Sequence, residues 1–289
     1  MSVPTPTATT VVTFPAGSTR ERSTVRSCHL LPDGRYGVVT EVTPFHPLDH
    51  TWPDQPGDTG TLADLTVEDC LTAARDDDHE LLVGADIPVR RGDPDWTWHV
   101  LHVVAQDPAA LVGTEVDLVV EPGRRAALSA AHTGCHLLAL ALNEALADRW
   151  RKPARTDALG NPDFDSLAMS SSRIGERAST DVYRLGKSLR KKGFTTEGLA
   201  EALPEITARV NGRLAAWVSS GAPVTIDTPG PELTAHRRWT CALPDGTASL
   251  SCGGTHIPSL GALSSLTTEL TLNGDGTELT AVTTPKPST

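Results

Sequence analysis

Two short strings stand more than a hundred residues apart, His132-Thr133-Gly134-Cys135-His136 and Cys252-Gly253-Gly254-Thr255-His256. Each carries two metal-competent side chains four positions apart, and zinc takes neutral imidazole and thiolate readily. If both pairs serve one ion, the long chain between them must fold back and bring its ends together. The first string lies in Ala126 to Trp150, a stretch without proline, with one glycine, and rich in Ala and Leu. That composition predicts a helix, with positions 132 and 136 one turn apart on one face, so both imidazoles reach the same ion. Leu137, Leu138, Leu140 and Leu142 point nearly all round it, which predicts a buried helix. In the second string two adjacent glycines disfavour a helix by about 1 kcal/mol each, so it reads as a tight turn bracketed by Cys and His. Alone, each string is equally an ordinary histidine pair or a turn with a buried thiol. Together they supply a Zn2+ site of His132, His136, Cys252 and His256, the residues through which catalysis is expected to run.

The pair HTxxHLL and CGGTH resembles the editing domain of alanyl-tRNA synthetases and its free-standing relatives, the AlaX-type proteins. Phe45-His46-Pro47 followed by Gln55-Pro56-Gly57-Asp58-Thr59-Gly60 is similar to the family's HP…GGQ…DxG segment. Ile206-Thr207-Ala208-Arg209-Val210-Asn211 is similar to its helix ending in VN. The similarity spans roughly residues 36 to 285. The chain departs from the pattern where Pro53 and Asp54 replace the glycines before the glutamine, with a longer interval after Pro47.

The resemblance implies a trans-editing hydrolase that binds the acceptor end of mischarged tRNA(Ala) and deacylates Ser-tRNA(Ala), with Gly-tRNA(Ala) second. No ATP-binding or aminoacylation motif is visible, so such a chain edits without charging. Thr133 matches the family's motif threonine and is the first candidate to bind the serine hydroxyl; Thr255 is the second, and Gln55 is a further substrate contact. Asp58 either joins them or anchors its loop. Four protein ligands close a tetrahedral site, as in structural zinc. Either His256 or His132 is then loose and admits water, or the ion orients the substrate. Two alternatives stay open: a zinc-dependent hydrolase of another small ester or amide, and a non-catalytic RNA-binding module stapled by zinc.

The 289 residues, 38% hydrophobic and 21% charged, suffice for two folded domains. The absence of an apolar run of eighteen, or of a basic start followed by an apolar stretch, predicts neither a membrane span nor a secretory signal. Five scattered cysteines argue against a disulfide framework and for a cytoplasmic location. A net charge of −11 counts against nucleic-acid binding over the whole surface. Between Arg149 and Lys192, however, eleven Lys or Arg face five acids, a patch suited to a phosphate backbone.

These patterns predict an α+β protein: disordered residues 1–10, a small antiparallel β-barrel-like domain over 11–122, a zinc-containing editing domain over 123–282 with an antiparallel sheet packed on helices, and a disordered tail 283–289. Within the first domain, Asp33-Gly34 predicts a hairpin, Thr66 to Arg75 a short helix, and Pro44 to Gly60 an irregular loop. His46 and His50 on that loop are not expected to form a second metal pair. In the second domain, helices are predicted over Val182 to Lys192 and Glu197 to Val218, a core thiol at Cys135, and Glu278 to Val282 as an edge strand.

Overall fold

The protein is α+β, and the computed structural model describes residues 8–77 and 80–288. Its contacts divide the chain into two units. The first comprises the residues up to Ala126 with Ile226–Arg238 and Cys252–Thr255. It holds β1 (Val11–Val12), β2 (Arg20–Leu30), β3 (Tyr36–Thr40), β4 (Val42–Thr43), β5 (Gly60–Leu62), β6 (Leu65–Arg75), β7 (Leu82–Val83), β8 (Thr97–Val104) and β9 (Glu115–Val120). Six of these close an antiparallel barrel in the order β5-β9-β2-β3-β8-β6, with β6 pairing back onto β5 and β7 added beyond β6. Alternation along β8 sends Trp98, Val100 and Val104 into the main core with Val25, Val38 and Leu118, while Leu101 joins Val39 and Ala73 in a separate cluster.

Two expectations for this region are corrected. Thr66 to Arg75 is not a helix but part of β6, paired with β8 from Val67↔Val104 to Arg75↔Thr97. Closing the barrel wall, which buries Cys70, Thr72, Ala73 and Ala74, outweighs the helical preference of the alanines. The predicted disordered start is also wrong as far as Thr10, which is buried and donates its N–H to the Trp98 carbonyl at 2.9 Å; residues 1–7 lie outside the described residues. The same strand end draws in later chain. Val12 N–H donates to Pro231 O and Leu233 N–H to Thr10 O, both at 2.9 Å, so Ile226–Arg238 packs with the first unit although the sequence reading placed it in the second domain.

The second unit comprises Ala127–Thr225, Trp239–Ser251 and the chain from His256 onward. The elements lying wholly or in part within it are α1 (Pro122–Ala145), α2 (Phe164–Ala168), β10 (Met169–Ile174), β11 (Ser179–Arg184), α3 (Lys187–Lys191), α4 (Leu199–Ser220), β12 (Val224–Asp227), β13 (Arg238–Leu243), β14 (Gly246–Ser251), β15 (Leu263–Leu272) and β16 (Glu278–Pro287). One sheet runs β10-β11-β16-β15, another β12-β13-β14. Asn211 of α4 fastens helix to sheet: its amide donates to Thr268 O and accepts from Thr268 N–H, each at 2.8 Å. Gly134 lets α1 close on β15, since a Cβ there would stand 2.9 Å from Leu266 Cδ1.

Here too the structure differs from the prediction. Helix α1 begins at Pro122 rather than Ala126, because proline suits a first helical position and the Glu121 carboxylate accepts the N–H groups of Gly123 and Arg124. Ser179-Thr180-Asp181 open β11, whose buried Ser179, Asp181 and Tyr183 alternate as a strand requires. Of the predicted Val182–Lys192 helix only α3 remains. Strand β16 is an inner strand that continues to Pro287, so residues 283–287 are paired with β15 rather than forming a tail; Thr289 lies outside the described residues. No described helix is long and apolar enough to cross a membrane.

Candidate metal centre

His132 and His136 project from one face of α1, as their spacing dictates, with ring centroids 4.8 Å apart. His256 joins them, 4.4 Å from the first ring and 5.0 Å from the second. Cys252 is held to His256 by the three residues of the glycine turn. One ligand atom from each of His132, His136, Cys252 and His256 lies within 4.8 Å of all the others, a group that can hold a metal ion. The four predicted ligands therefore come together.

The protein itself orients these donors. Thr133 Oγ1 donates its single proton to the Ser129 carbonyl at 2.9 Å and accepts the Ile257 N–H at 3.3 Å. It also lies 3.2 Å from His256 Nδ1. With the hydroxyl proton already given away, Thr133 Oγ1 is suited to accept a proton carried on His256 Nδ1, the tautomer that offers the Nε2 lone pair to an ion. The turn is held in the same manner. Gln55, buried although it lies on the 44–60 loop, donates from Nε2 to Thr255 Oγ1 at 2.9 Å and accepts the Thr255 N–H on Oε1 at 3.2 Å. Cys252 N–H donates to Arg237 O at 3.1 Å, and Gly254 N–H points at Cys252 Sγ at 3.5 Å, a donor suited to thiolate. Gly253 faces a guanidinium, with its would-be Cβ 2.9 Å from Arg91 Nη2.

The electrostatics suit a cation. Burial pulls the His132 imidazole down to about 3, and burial followed by the neighbouring His132 pulls His136 well below its usual value, so both are neutral ligands at pH 7. His136 Nε2 is buried and makes no hydrogen bond among the described residues, as expected of an atom kept for a metal. Burial pushes the Cys252 thiol up to about 12 in the absence of metal, against the lowering effect of Gly254 N–H; a bound cation reverses that preference. Three imidazoles and one thiol fit zinc without singling it out.

The other residues marked in the sequence sit elsewhere. Asp58 is fully buried and anchors the loop, accepting Arg125 Nε–H at 3.0 Å and the His46 N–H at 2.6 Å. The imidazole of His46 packs edge-on to Phe14, and His50 Nε2 meets the Val89 carbonyl at 2.9 Å, so the two rings take separate partners. Cys135 is buried, and it is more than a packing thiol: Sγ donates to Asp181 Oδ1 at 3.5 Å. Of the eleven cationic residues between 149 and 192, all but the half-buried Arg149 are exposed. Sequence reasoning missed Arg125, for which the Arg124-Arg125 pair in the first turn of an apolar helix was the available signal. It also missed Trp239, whose ring meets His136 at 5.2 Å and His256 at 6.1 Å and which no motif marks. No protein-family model matches the chain.

Proposed function

We propose that the protein is a zinc-dependent deacylase acting in trans in the cytoplasm on mischarged tRNA(Ala), first Ser-tRNA(Ala) and second Gly-tRNA(Ala). The observation that carries this reading is the convergence of His132, His136, Cys252 and His256, which joins the two strings on which the resemblance to alanyl-tRNA editing proteins rests. When bound, zinc supplies a Lewis acid for the ester carbonyl and for water. The chain's own residues do the rest. Thr133 supports the tautomer and direction of His256, and the Gln55–Thr255 bridge fixes the turn that presents Cys252. The leaving group is a ribose hydroxyl, so orientation of the ester contributes more than leaving-group protonation. Exposed cations such as Arg173, Arg184 and Lys187 supply the attraction for phosphates that the acidic remainder of the surface lacks.

The test incubates purified protein with Ser-, Gly- and Ala-tRNA(Ala), before and after metal stripping. Hydrolysis of the seryl and glycyl esters that needs the metal and spares the alanyl ester is expected. Four protein donors also favour a purely structural zinc. Binding of tRNA without hydrolysis would establish that reading, and hydrolysis of small esters alone would point to a different substrate.

A further inference from the structure

Specificity for a seryl over an alanyl ester requires a hydrogen-bonding group that meets the side-chain hydroxyl, because a group left unpaired by the wrong ligand discriminates far more than shape does. The groups first expected to do this are engaged within the protein. Thr133 has given its proton to Ser129, and Gln55 and Thr255 bond each other. Trp239 differs from all three. It is fully buried on β13, its ring lies edge-on to His136 at 5.2 Å and tilted to His256 at 6.1 Å, and its Nε1–H makes no hydrogen bond among the described residues. Indole can only donate, so its proton is satisfied only by an acceptor. A buried orphan donor costs about 1–3 kcal/mol, a penalty that a ligand acceptor removes. The neighbouring His136 Nε2 orphan is accounted for by an ion, whereas an N–H cannot be.

We infer that Trp239 is a substrate-binding and specificity-determining residue whose Nε1–H donates to the side-chain hydroxyl oxygen of the acyl group held beside the three imidazoles. This inference rests on the deacylase reading for the identity of the acyl group. Alanyl and glycyl groups both lack the acceptor and leave the indole N–H unpaired, which makes the same group a source of rejection and ranks the glycyl ester below the seryl one.

The test is arranged so that the two ideas fail separately. Zinc-loaded, 15N-labelled protein is titrated with 3′-(L-seryl)amino-3′-deoxyadenosine, a stable amide analogue of a charged tRNA end, and with its alanyl counterpart. The indole resonance missing from Trp239→Phe identifies the proton to follow. A downfield shift with the seryl compound only is expected, whether or not any tRNA is hydrolysed. No shift, or equal shifts with both compounds, overturns the assignment. In parallel, Trp239→Phe keeps a ring against His136 and should retain zinc and cooperative unfolding. Seryl-ester hydrolysis should fall by about tenfold to a hundredfold, and the preference for the seryl over the glycyl ester should fall with it. If the wild type hydrolyses Ser-tRNA(Ala) and Trp239→Phe matches it, Trp239 is not the determinant; if the wild type hydrolyses neither ester, the deacylase reading fails while the titration still decides whether Trp239 binds the hydroxyl.

Discussion

Thr133 Oγ1 stands 3.2 Å from His256 Nδ1 while giving its own proton to the Ser129 carbonyl. A residue that the motif suggested for substrate selection thus also holds a metal donor in place. Thr133→Val is expected to leave the fold intact and to weaken zinc binding by about 10–100-fold, as loss of a ligand-orienting hydrogen bond does. Thr133→Ser, which keeps the hydroxyl, should restore most of it. Competition against a chromophoric chelator measures both.

Zinc uptake should release about one proton per ion at pH 7. The buried thiol of Cys252 is protonated without metal, and His132 and His136 are already neutral, so the proton comes from sulfur. Calorimetric titration in buffers of different ionisation enthalpy counts it. In Cys252→Ala the release should vanish along with most of the affinity.

The Asp58–Arg125 pair is buried on both sides, and Arg125 also reaches the Ser18 carbonyl at 3.2 Å and the Pro44 carbonyl at 2.6 Å. Removing one partner strands the other charge. Asp58→Ala should therefore cost about 3–5 kcal/mol in denaturant unfolding of the metal-free protein. The loop bearing Gln55 should loosen with it, and zinc affinity should fall as a secondary effect.

The barrel carries two histidines that make the metal-free protein sensitive to acid. Burial lowers His99 and His102 to about 4 from an ordinary value of 6.5. Unfolding therefore takes up protons below pH 6.5, and stability present above that value is lost as the pH falls through about 4. Neither ring nitrogen of His99 has a hydrogen-bond partner among the described residues, which makes it the cleaner probe. His99→Leu should remove its share, up to about 3 kcal/mol at roughly 1.4 kcal/mol per unit. The gap between variant and wild type should widen between pH 6.5 and pH 4.5; a constant gap would contradict the shift.

The ligand set was legible because metal chemistry restricts residue types and offsets: His132 and His136 need only a helix, and Cys252 and His256 only a turn. Helix α4 was equally plain from its periodicity, predicted from Glu197 and found from Leu199. Strand β6 was not. Ala73 and Ala74 favour a helix locally, and only closure of the barrel, a pairing with residues far along the chain, makes them strand. Strand β11 was hidden by Ser179-Thr180-Asp181, which cap helices as readily as they line a buried polar face. Trp239 was illegible for a different reason: a tryptophan on a strand reads as core, and only the folded structure shows its N–H without a partner among the described residues.

The most direct test is cobalt(II) titration of metal-stripped protein, followed by visible and near-ultraviolet absorption. If His132, His136, Cys252 and His256 hold one ion, a single equivalent binds with the strong visible bands of a tetrahedral site and a thiolate charge-transfer band. That charge-transfer band is absent in Cys252→Ser, and binding is lost in His136→Ala. No binding, or a spectrum identical in Cys252→Ser, would show that the four residues do not share an ion.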